Sequence, residues 1–295
     1  MVKLIAWLTN IVILLQSVSG ANVRDMLSNL PDEYLDVSYG KSITQKVDIY
    51  VPFEQKSGAG LILYIHGGSW DHGSKEVFAN KCKKYSAKGY VTATMNYRLV
   101  NQGASARDMM NDISYAMKKI KTTVAKKNVT INKVMIVGIS AGAHLALLYS
   151  YTRADTSPIK IAAVTAYCPP SDLYDDKMYT DTGIGSCNQM VKTMSVLCGE
   201  TFTYKAKSSS EKALKAISPY YNVTSSSVPT LFCHGKFDGA VPYAQSVRLK
   251  MKLDSYEVPN NFVIFPNSAH ALDKDPGKMA QVTKLFEEYL FIYMS

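Results

Sequence analysis

The chain has 295 residues, of which 47% are hydrophobic and 19% charged. This composition is that of an ordinary globular protein and excludes the intrinsically disordered class. The formal net charge is +9, from 33 Lys and Arg against 24 Asp and Glu. Because the lysines are scattered and no nucleic-acid motif accompanies them, we expect a solvated positive surface and no nucleic-acid partner.

Residues 1–20 have the features of a secretory signal peptide. Lys3 supplies the positive charge, Leu4–Leu15 form an apolar stretch, and the small residues Val18-Ser19-Gly20 precede a cleavage point before Ala21. As a helix the apolar stretch rises only about 18 Å, which is too short for a hydrocarbon core of roughly 30 Å. We therefore expect a secreted protein, or one in the lumen of the secretory pathway. A retained signal anchor is the alternative.

Two further features fit passage through an oxidising compartment. Asn128 and Asn222 each begin an N-glycosylation sequon. Of the five cysteines, Cys187 and Cys198 enclose a short loop in a polar segment, which makes them the candidate disulfide pair. Since no later stretch is apolar over about 18 residues, no stable membrane span is expected after signal cleavage.

Apolar runs alternate with helical patterns along residues 21–295, which predicts one catalytic domain of the α/β class. We expect a mostly parallel central sheet with helices on both faces. The predicted strands are Val47–Val51, Leu61–His66, Tyr90–Tyr97, Lys133–Gly138, Ile161–Ala166, Thr230–Cys233 and Asn261–Phe265. The predicted helices are Ser74–Lys88, Ser105–Lys127, Ala141–Tyr151, Tyr243–Leu253 and Gly277–Tyr293.

Residues 170–220 interrupt this alternation with a segment rich in Ser, Thr, Lys, Asp and Tyr. Ligands of open α/β sheets bind outside the carboxyl edge of the strands. We therefore expect this segment to be a lid-like insert that lies over that edge and shapes the substrate pocket.

The strongest motif is Gly138-Ile139-Ser140-Ala141-Gly142, which follows an apolar strand and precedes a helical pattern. This is the context of a G-x-S-x-G nucleophile elbow, in which a sharp turn lifts the serine hydroxyl above the sheet. Small residues on both sides allow the tight backbone packing of such a turn. The motif predicts Ser140 as a catalytic nucleophile.

A second glycine motif, His66-Gly67-Gly68-Ser69-Trp70, also ends an apolar strand. Adjacent glycines let backbone N–H groups approach a ligand oxygen closely. We expect an oxyanion hole made by the backbone N–H groups of Gly68, Ser69 and Ala141. Gly67 and Trp70 are candidate residues of the substrate pocket.

A base and its orienting acid follow later in the chain. His270 comes after the last apolar strand, and Asp238 lies in a loop after the strand that ends near His234. The order serine, acid, histidine is that of the α/β-hydrolase fold. We predict Ser140, Asp238 and His270 as the catalytic triad, with Asp275 as the rival acid.

The residue types define a reaction by general-base and nucleophilic catalysis. His270 would deprotonate Ser140, Asp238 would orient the imidazole, and water would release the acyl group. Neither a cysteine and histidine cluster with zinc spacing nor a phosphate-binding glycine loop occurs in the sequence, so no metal and no cofactor are expected.

From about Tyr39 onward, these motifs together resemble the hormone-sensitive-lipase-like esterases. They resemble more closely the bacterial feruloyl-esterase-like branch (BD-FAE-like) of the α/β hydrolases. The resemblance also includes Asn96-Tyr97-Arg98-Leu99 and the segment from His234 to Pro242. It implies a serine carboxylesterase that acts on small-molecule or carbohydrate-linked esters.

Three departures from the pattern bear on the substrate. Ser69 stands where many relatives have a third glycine, Ile139 replaces a common acidic residue, and Ala143 replaces a glycine. The His-Gly-Gly-x-Trp form is also similar to kynurenine formamidases, so cleavage of aryl formamides is the rival activity. A non-catalytic binding protein on the same fold is a third reading, opposed by the presence of all three triad residues.

Overall fold

A computed structural model describes residues 31–55, 60–180, 183 and 185–294. The predicted signal peptide, 1–20, and residues 21–30 of the predicted catalytic domain lie outside the described residues. Within the described part, no helix has both the length and the apolar character needed to cross a membrane.

The strands of the described residues form one eight-stranded sheet. They are β1 (Asp32–Ser38), β2 (Lys46–Val51), β3 (Leu61–Ile65), β4 (Val91–Met95), β5 (Lys133–Ile139), β6 (Lys160–Tyr167), β7 (Thr230–Gly235) and β8 (Asn260–Phe265). Their spatial order is β1-β2-β4-β3-β5-β6-β7-β8. β2 pairs antiparallel with β1 and β4, and all other pairs are parallel. The carboxyl ends of β3 to β8 therefore meet at one edge.

The longer helices follow the predicted ones to within about two residues at most ends. They are α1 (Ala79–Ser86), α2 (Ala106–Ala125), α3 (Ala141–Thr152), α7 (Ala244–Ser255) and α8 (Pro276–Met294). A 3₁₀ turn, Lys75–Phe78, precedes α1. The start of α2 shows how the sequence sets a boundary, because Ser105 and Asp108 satisfy each other's backbone N–H groups in a capping box.

Strand side chains alternate between two cores. Val134 and Ile136 of β5 join the larger core, which includes residues of α2, α3 and α7. Met135 and Val137 face the opposite side, where they pack with residues of α1 and α8. The continuous apolar run of β5 reflects burial on both faces, as expected for a central parallel strand. The α/β fold class predicted from the sequence is confirmed.

The described residues of the segment 170–220 form three α-helices, α4 (Lys177–Thr180), α5 (Cys187–Cys198) and α6 (Glu211–Ala216). Met190, Met194 and Leu197 of α5 are buried in the larger core. The backbone N–H of Gly183 donates to the carbonyl of Gly239, in the loop after β7. The insert thus reaches the carboxyl edge of the sheet.

The predicted disulfide between Cys187 and Cys198 is wrong for this structure, in which both cysteines are free. They lie at opposite ends of α5. Eleven residues of α-helix rise about 16 Å, whereas bridged cysteines have Cα atoms roughly 4.4–6.8 Å apart. The sequence separation suggested a closed loop, but the helix keeps the two thiols apart.

Candidate active site

Ser140 occupies a strained turn between β5 and α3. Its φ of 54° and ψ of −122° are unfavourable for a residue with a side chain. Its N–H donates to the carbonyl of Tyr167 at 2.8 Å, which ties the turn to the end of β6. A Cβ on Gly142 would lie 2.2 Å from the carbonyl oxygen of Ile65, so only glycine fits there. The geometry is that of a nucleophile elbow, with the serine at the N-terminus of α3.

The loop after β3 lies directly against this turn. A Cβ added to Gly67 would be 3.1 Å from the Cβ of Ser140 and 2.9 Å from the Ile139 carbonyl oxygen. Ser69 and Trp70 follow with φ values of 49° and 61°, a left-handed conformation that reverses the chain beside the serine. The predicted oxyanion loop and the predicted nucleophile are therefore neighbours.

Trp70, a predicted residue of the substrate pocket, is buried in the core. Its side chain is only 1% exposed and belongs to the larger core. The indole Nε1–H donates to Nδ1 of His144 at 3.1 Å. An indole buried in this way offers almost no surface to a substrate, and its observed contacts are with the larger core and with His144.

His144 joins three parts of the molecule. Since its Nδ1 accepts from Trp70, its proton is on Nε2, which donates to the carbonyl of Ile217 in the insert at 2.7 Å. Complete burial lowers the pKa of His144 to about 4, against the opposing effect of the Ile217 hydrogen bond. The neutral ring thus links the loop His66–Trp70, helix α3 and the insert.

Asp238 and His270 form a hydrogen-bonded pair in the loops after β7 and β8. His270 Nδ1 lies 2.7 Å from Asp238 Oδ2. The carboxylate side chain is fully buried, while the imidazole remains 31% exposed. The other oxygen, Oδ1, accepts the backbone N–H groups of Ala240 at 2.8 Å and Val241 at 2.9 Å. The acid is held rigidly and the imidazole is accessible.

His234 is a second imidazole on the same carboxylate, and the sequence analysis gave it no role. Its Nε2 lies 3.0 Å from Asp238 Oδ2 and 3.0 Å from the carbonyl oxygen of Val241. Because both neighbours are acceptors, Nε2 carries the proton. Nδ1 therefore accepts from the Ser246 hydroxyl at 2.7 Å. The signal available in the sequence was the spacing of four residues between His234 and Asp238.

The charge of Asp238 is favoured by these two rings. Burial opposes ionisation, but the hydrogen bonds from His234 and His270 outweigh it and hold the pKa of Asp238 well below its usual range. Asp238 is therefore a carboxylate at any pH near neutrality.

The rival acid Asp275 is used elsewhere. Its carboxylate accepts the Ser268 hydroxyl at 2.6 Å, the Asn267 side-chain amide at 2.8 Å and the Asn267 backbone N–H at 3.0 Å. These bonds brace the loop that carries His270. The structure gives Asp275 a supporting position and pairs His270 with Asp238.

The end of β6 links the serine turn to the histidine loop. Tyr167 accepts the Ser140 N–H, and the next residue, Cys168, donates its thiol to the carbonyl of His270 at 3.5 Å. Donor atoms of Cys168, Asp238 and His270 lie within 4.8 Å of one another, a set of ligand types that suits zinc. Burial raises the pKa of the Cys168 thiol and disfavours the thiolate that a metal needs. The arrangement fits a hydrogen-bonded acid and base better than a metal centre.

A mostly parallel sheet with a serine on a strained strand-to-helix turn is the architecture of the α/β-hydrolase class. Solved structures of similar fold include a truncated carbohydrate esterase from gut microbiota, 21% identical with a TM-score of 0.71. That match covers 89% of this chain and 97% of the other. Esterase B from Lactobacillus rhamnosis is 17% identical with a TM-score of 0.70, over 98% and 96% of the two chains.

Within that class, the chain belongs to the BD-FAE family, whose profile matches residues 47–253. The predicted resemblance to this branch is confirmed. Among curated relatives, a kynurenine formamidase of Danio rerio is 30% identical over 127 residues, which are 42% of this chain and 42% of that protein. The esterase LipC of Mycobacterium tuberculosis is 21% identical over 243 residues, 80% of this chain and 59% of that protein.

A third relative is a probable isoprenylcysteine alpha-carbonyl methylesterase of Oryza sativa subsp. japonica. It is 30% identical over 110 residues, 37% of this chain and 26% of the relative. The chain therefore spans from about a quarter to about three fifths of the length of these curated relatives.

Proposed function

We propose that this protein is a serine carboxylesterase in which Ser140, His270 and Asp238 are nucleophile, general base and orienting acid. One observation carries the proposal. A buried Asp238 carboxylate holds an accessible His270 ring at 2.7 Å, at the sheet edge where Ser140 sits with a φ of 54°. Membership of the BD-FAE family and the esterases of similar fold support the same chemistry.

The protonation states of Asp238 and His270 fit this role. Because Asp238 can only accept, Nδ1 of His270 is the protonated nitrogen. Nε2 is left with a lone pair to accept the proton of the Ser140 hydroxyl. The serine oxygen attacks the ester carbonyl, the imidazolium protonates the leaving alcohol, and water then repeats the sequence to release the acid.

The negative oxygen of the tetrahedral intermediate needs preorganised donors. A Cβ on Gly67 would lie 3.1 Å from the Cβ of Ser140, which supports a position of the next two N–H groups, those of Gly68 and Ser69, close to the proposed nucleophile. Ala141 supplies a third N–H at the first position of α3, where the helix N-terminus favours negative charge. We propose these three groups as the oxyanion hole.

An ester is the proposed substrate, and a formamide of an aromatic amine is the competing one. The formamidase of Danio rerio supports the competing class through the shared His66–Trp70 motif, but the match covers 42% of each chain. A panel of p-nitrophenyl esters from acetate to palmitate, with methyl ferulate and N-formylkynurenine, separates the two. We expect kcat/KM for the best ester to exceed that for N-formylkynurenine; the reverse order would overturn the substrate class.

Ser140→Ala tests the nucleophile on the best ester of that panel. We expect turnover to fall about 10⁶-fold, as in other serine hydrolases that lose the nucleophile. Ser150→Ala is the matched control, because Ser150 is fully buried in the same helix and its hydroxyl has no partner among the described residues. The control should keep normal turnover. Near-normal turnover of Ser140→Ala would contradict the proposal.

Export is a separate proposal that rests on the composition of residues 1–20. In a eukaryotic secretory host we expect a mature N-terminus at Ala21, measurable by intact mass. Of the two sequons, Asn128 is exposed, whereas the Asn222 amide donates to the carbonyls of Ser218 at 2.9 Å and Ala216 at 3.1 Å. Glycan, where present, should therefore be lost in Asn128→Gln. An unprocessed N-terminus would contradict cleavage.

A further inference from the structure

Cys168, the first residue after β6, has a backbone conformation that favours glycine. Its φ is 48°, in the left-handed region that residues with a side chain rarely adopt. Its side chain is fully buried, in an apolar cluster with Cys233 and Phe265. Strained residues concentrate at functional sites, where the surrounding structure holds them in place. We therefore expect the thiol to make a contact that glycine could not make.

That contact is with the main chain of His270. Sγ of Cys168 lies 3.5 Å from the His270 carbonyl oxygen, within reach of a sulfur donor. Burial raises the pKa of the thiol above its ordinary range, so the thiol keeps its proton and can donate. Among the described residues, no backbone N–H donates to this carbonyl. The Cys168 thiol is thus the donor that holds the main chain at His270.

Cys168 also lies where the segments of the three proposed catalytic residues meet. The carbonyl of the preceding residue, Tyr167, accepts the N–H of Ser140 at 2.8 Å. Side-chain ligand atoms of Cys168, Asp238 and His270 lie within 4.8 Å of one another. The end of β6 therefore holds the serine turn through Tyr167 and the histidine loop through Cys168.

The spacing between Ser140 and His270 depends on how firmly both segments are held. A general base removes a proton only when it lies about 2.6–3.2 Å from the atom that carries the proton. Asp238 orients the imidazole of His270 through Nδ1. Asp275 braces the start of the same loop, and Cys168 adds the contact at His270 itself.

We propose that Cys168 is a positioning residue of the ester site, whose thiol holds the His270 main chain so that Nε2 of the ring stays within reach of the Ser140 hydroxyl. The thiol acts through His270 and takes no part in the bond changes. This role rests on the proposed function, because it requires His270 to be the general base. The competing explanation is that the thiol only fills space in the apolar cluster.

Three substitutions at Cys168 separate the hydrogen bond from packing and strain. Cys168→Ser keeps a donor, Cys168→Ala removes it, and Cys168→Gly removes it with a residue that suits the left-handed backbone. With p-nitrophenyl acetate we expect kcat to fall about tenfold in Cys168→Ala and Cys168→Gly, the effect of one lost hydrogen bond, with KM unchanged. In Cys168→Ser, kcat should stay within about threefold of that of the unmodified chain.

Cys233→Ala is the matched control, because it removes a buried thiol from the same cluster on the neighbouring strand, and it should keep normal kcat. Melting temperatures show which variants are folded in the assay. Normal kcat in the variants without a donor would overturn the positioning role. Equal losses in Cys168→Ser and Cys168→Ala would also overturn it, by assigning the loss to packing.

Ser140→Ala separates this role from the function on which it rests. If Ser140→Ala is inactive while Cys168→Ala turns over normally, only the positioning role fails. If Ser140→Ala keeps its turnover, the proposed function fails and the positioning role fails with it.

Discussion

The two halves of the catalytic edge are held in place by different means. Around Ser140, backbone packs on backbone: Gly67 touches the serine turn, and Gly142 leaves no space for a Cβ beside Ile65. Asp238 is held by hydrogen bonds, from the rings of His234 and His270 and from the backbone N–H groups of Ala240 and Val241. Ser140, the proposed nucleophile, is therefore positioned sterically, and Asp238 and His270, the proposed acid and base, are positioned by hydrogen bonds.

This difference has a physical consequence. Close backbone packing is disrupted by the addition of a single methyl group, and this destabilisation does not depend on pH. A hydrogen-bonded network can lose one bond and keep the others, so a substitution weakens it only in part. Its stability also changes with pH, because its members gain or lose protons. Substitutions in the two halves should therefore produce different kinds of defect. Three variants test this difference, and a fourth, at His144, tests the pH dependence of the link between Trp70 and the insert; they follow in decreasing order of expected effect.

Asp238→Asn should cause the largest loss. The amide can present its NH₂ group to His270 Nδ1, which would then be the unprotonated nitrogen and leave a proton on Nε2. We expect turnover to fall about 10⁴-fold, as for the same change in a serine protease. The melting temperature should fall as well, because the NH₂ group would also face the protonated Nε2 of His234. Turnover on p-nitrophenyl acetate and the melting temperature measure both. Asp275→Asn is the control, and a larger loss of turnover there would make Asp275 the acid.

Gly142→Ala should disrupt the backbone packing that positions Ser140. The new Cβ would meet the carbonyl oxygens of Ile65 and His66 at 2.2 Å and 2.3 Å. We expect the free energy of unfolding to fall by more than about 3 kcal/mol at every pH, measured by urea denaturation. Gly277→Ala adds the same methyl group in open space on α8 and should be neutral or stabilising. Equal effects of the two variants would contradict steric positioning.

His144→Gln should remove a pH dependence of stability. Burial lowers the pKa of His144 from 6.5 to about 4, so the native state binds fewer protons than the unfolded state between these values. The neutral ring of His144 contributes fully to the free energy of unfolding above pH 6.5, and this contribution is lost as the pH falls toward 4. The total change in the free energy of unfolding is about 3 kcal/mol. The amide of glutamine can accept from Trp70 and donate to Ile217. Unfolding free energies at pH 4.5 and 7 should differ less in the variant; an unchanged difference would assign the dependence to other groups.

His234→Gln should have the smallest effect on turnover of the four variants. It exchanges the imidazole N–H on Asp238 for an amide N–H on a longer and more flexible side chain, so this hydrogen bond weakens and the pKa of Asp238 rises toward its ordinary value. An acid whose pKa is lowered in the native state stabilises that state at pH values above the pKa, and this stabilisation is lost as the pH falls through it. Because the pKa is higher in the variant, acid unfolding should begin at a higher pH. Turnover at neutral pH should fall about tenfold. Ser246→Ala loses only the hydroxyl that donates to His234 Nδ1. Its turnover and its acid-unfolding midpoint should lie between those of His234→Gln and those of the unmodified chain. A lower acid-unfolding midpoint would contradict this positioning role.

The sequence predicted those parts of the fold that have a local signal. The strands buried on both faces, such as β5, appear as apolar runs, and the serine turn appears as a glycine motif between strand and helix. β1 was missed because this edge strand is largely exposed and carries Asp32, Glu33 and Asp36. The helices of the insert were missed because its polar composition is typical of a loop.

The candidate site was predictable where chain order and residue type suffice, as for Ser140, Asp238 and His270. Features that depend on three-dimensional placement were not. The burial of Trp70 against His144, the second ring on Asp238 and the contact of the Cys168 thiol with His270 each require knowledge of which groups meet across distant segments. The cysteine pair failed for the same reason, since the sequence does not show that a helix separates the thiols.

Covalent labelling with a fluorophosphonate tests the central claim most directly, because it reports on the activated serine without reference to a substrate. Intact mass and peptide mapping should show one adduct, on Ser140, absent in Ser140→Ala and strongly slowed in His270→Ala. Ser150→Ala should label at the normal rate. Labelling of another residue, or equal rates with and without His270, would contradict the assignment of Ser140 and His270 as nucleophile and base.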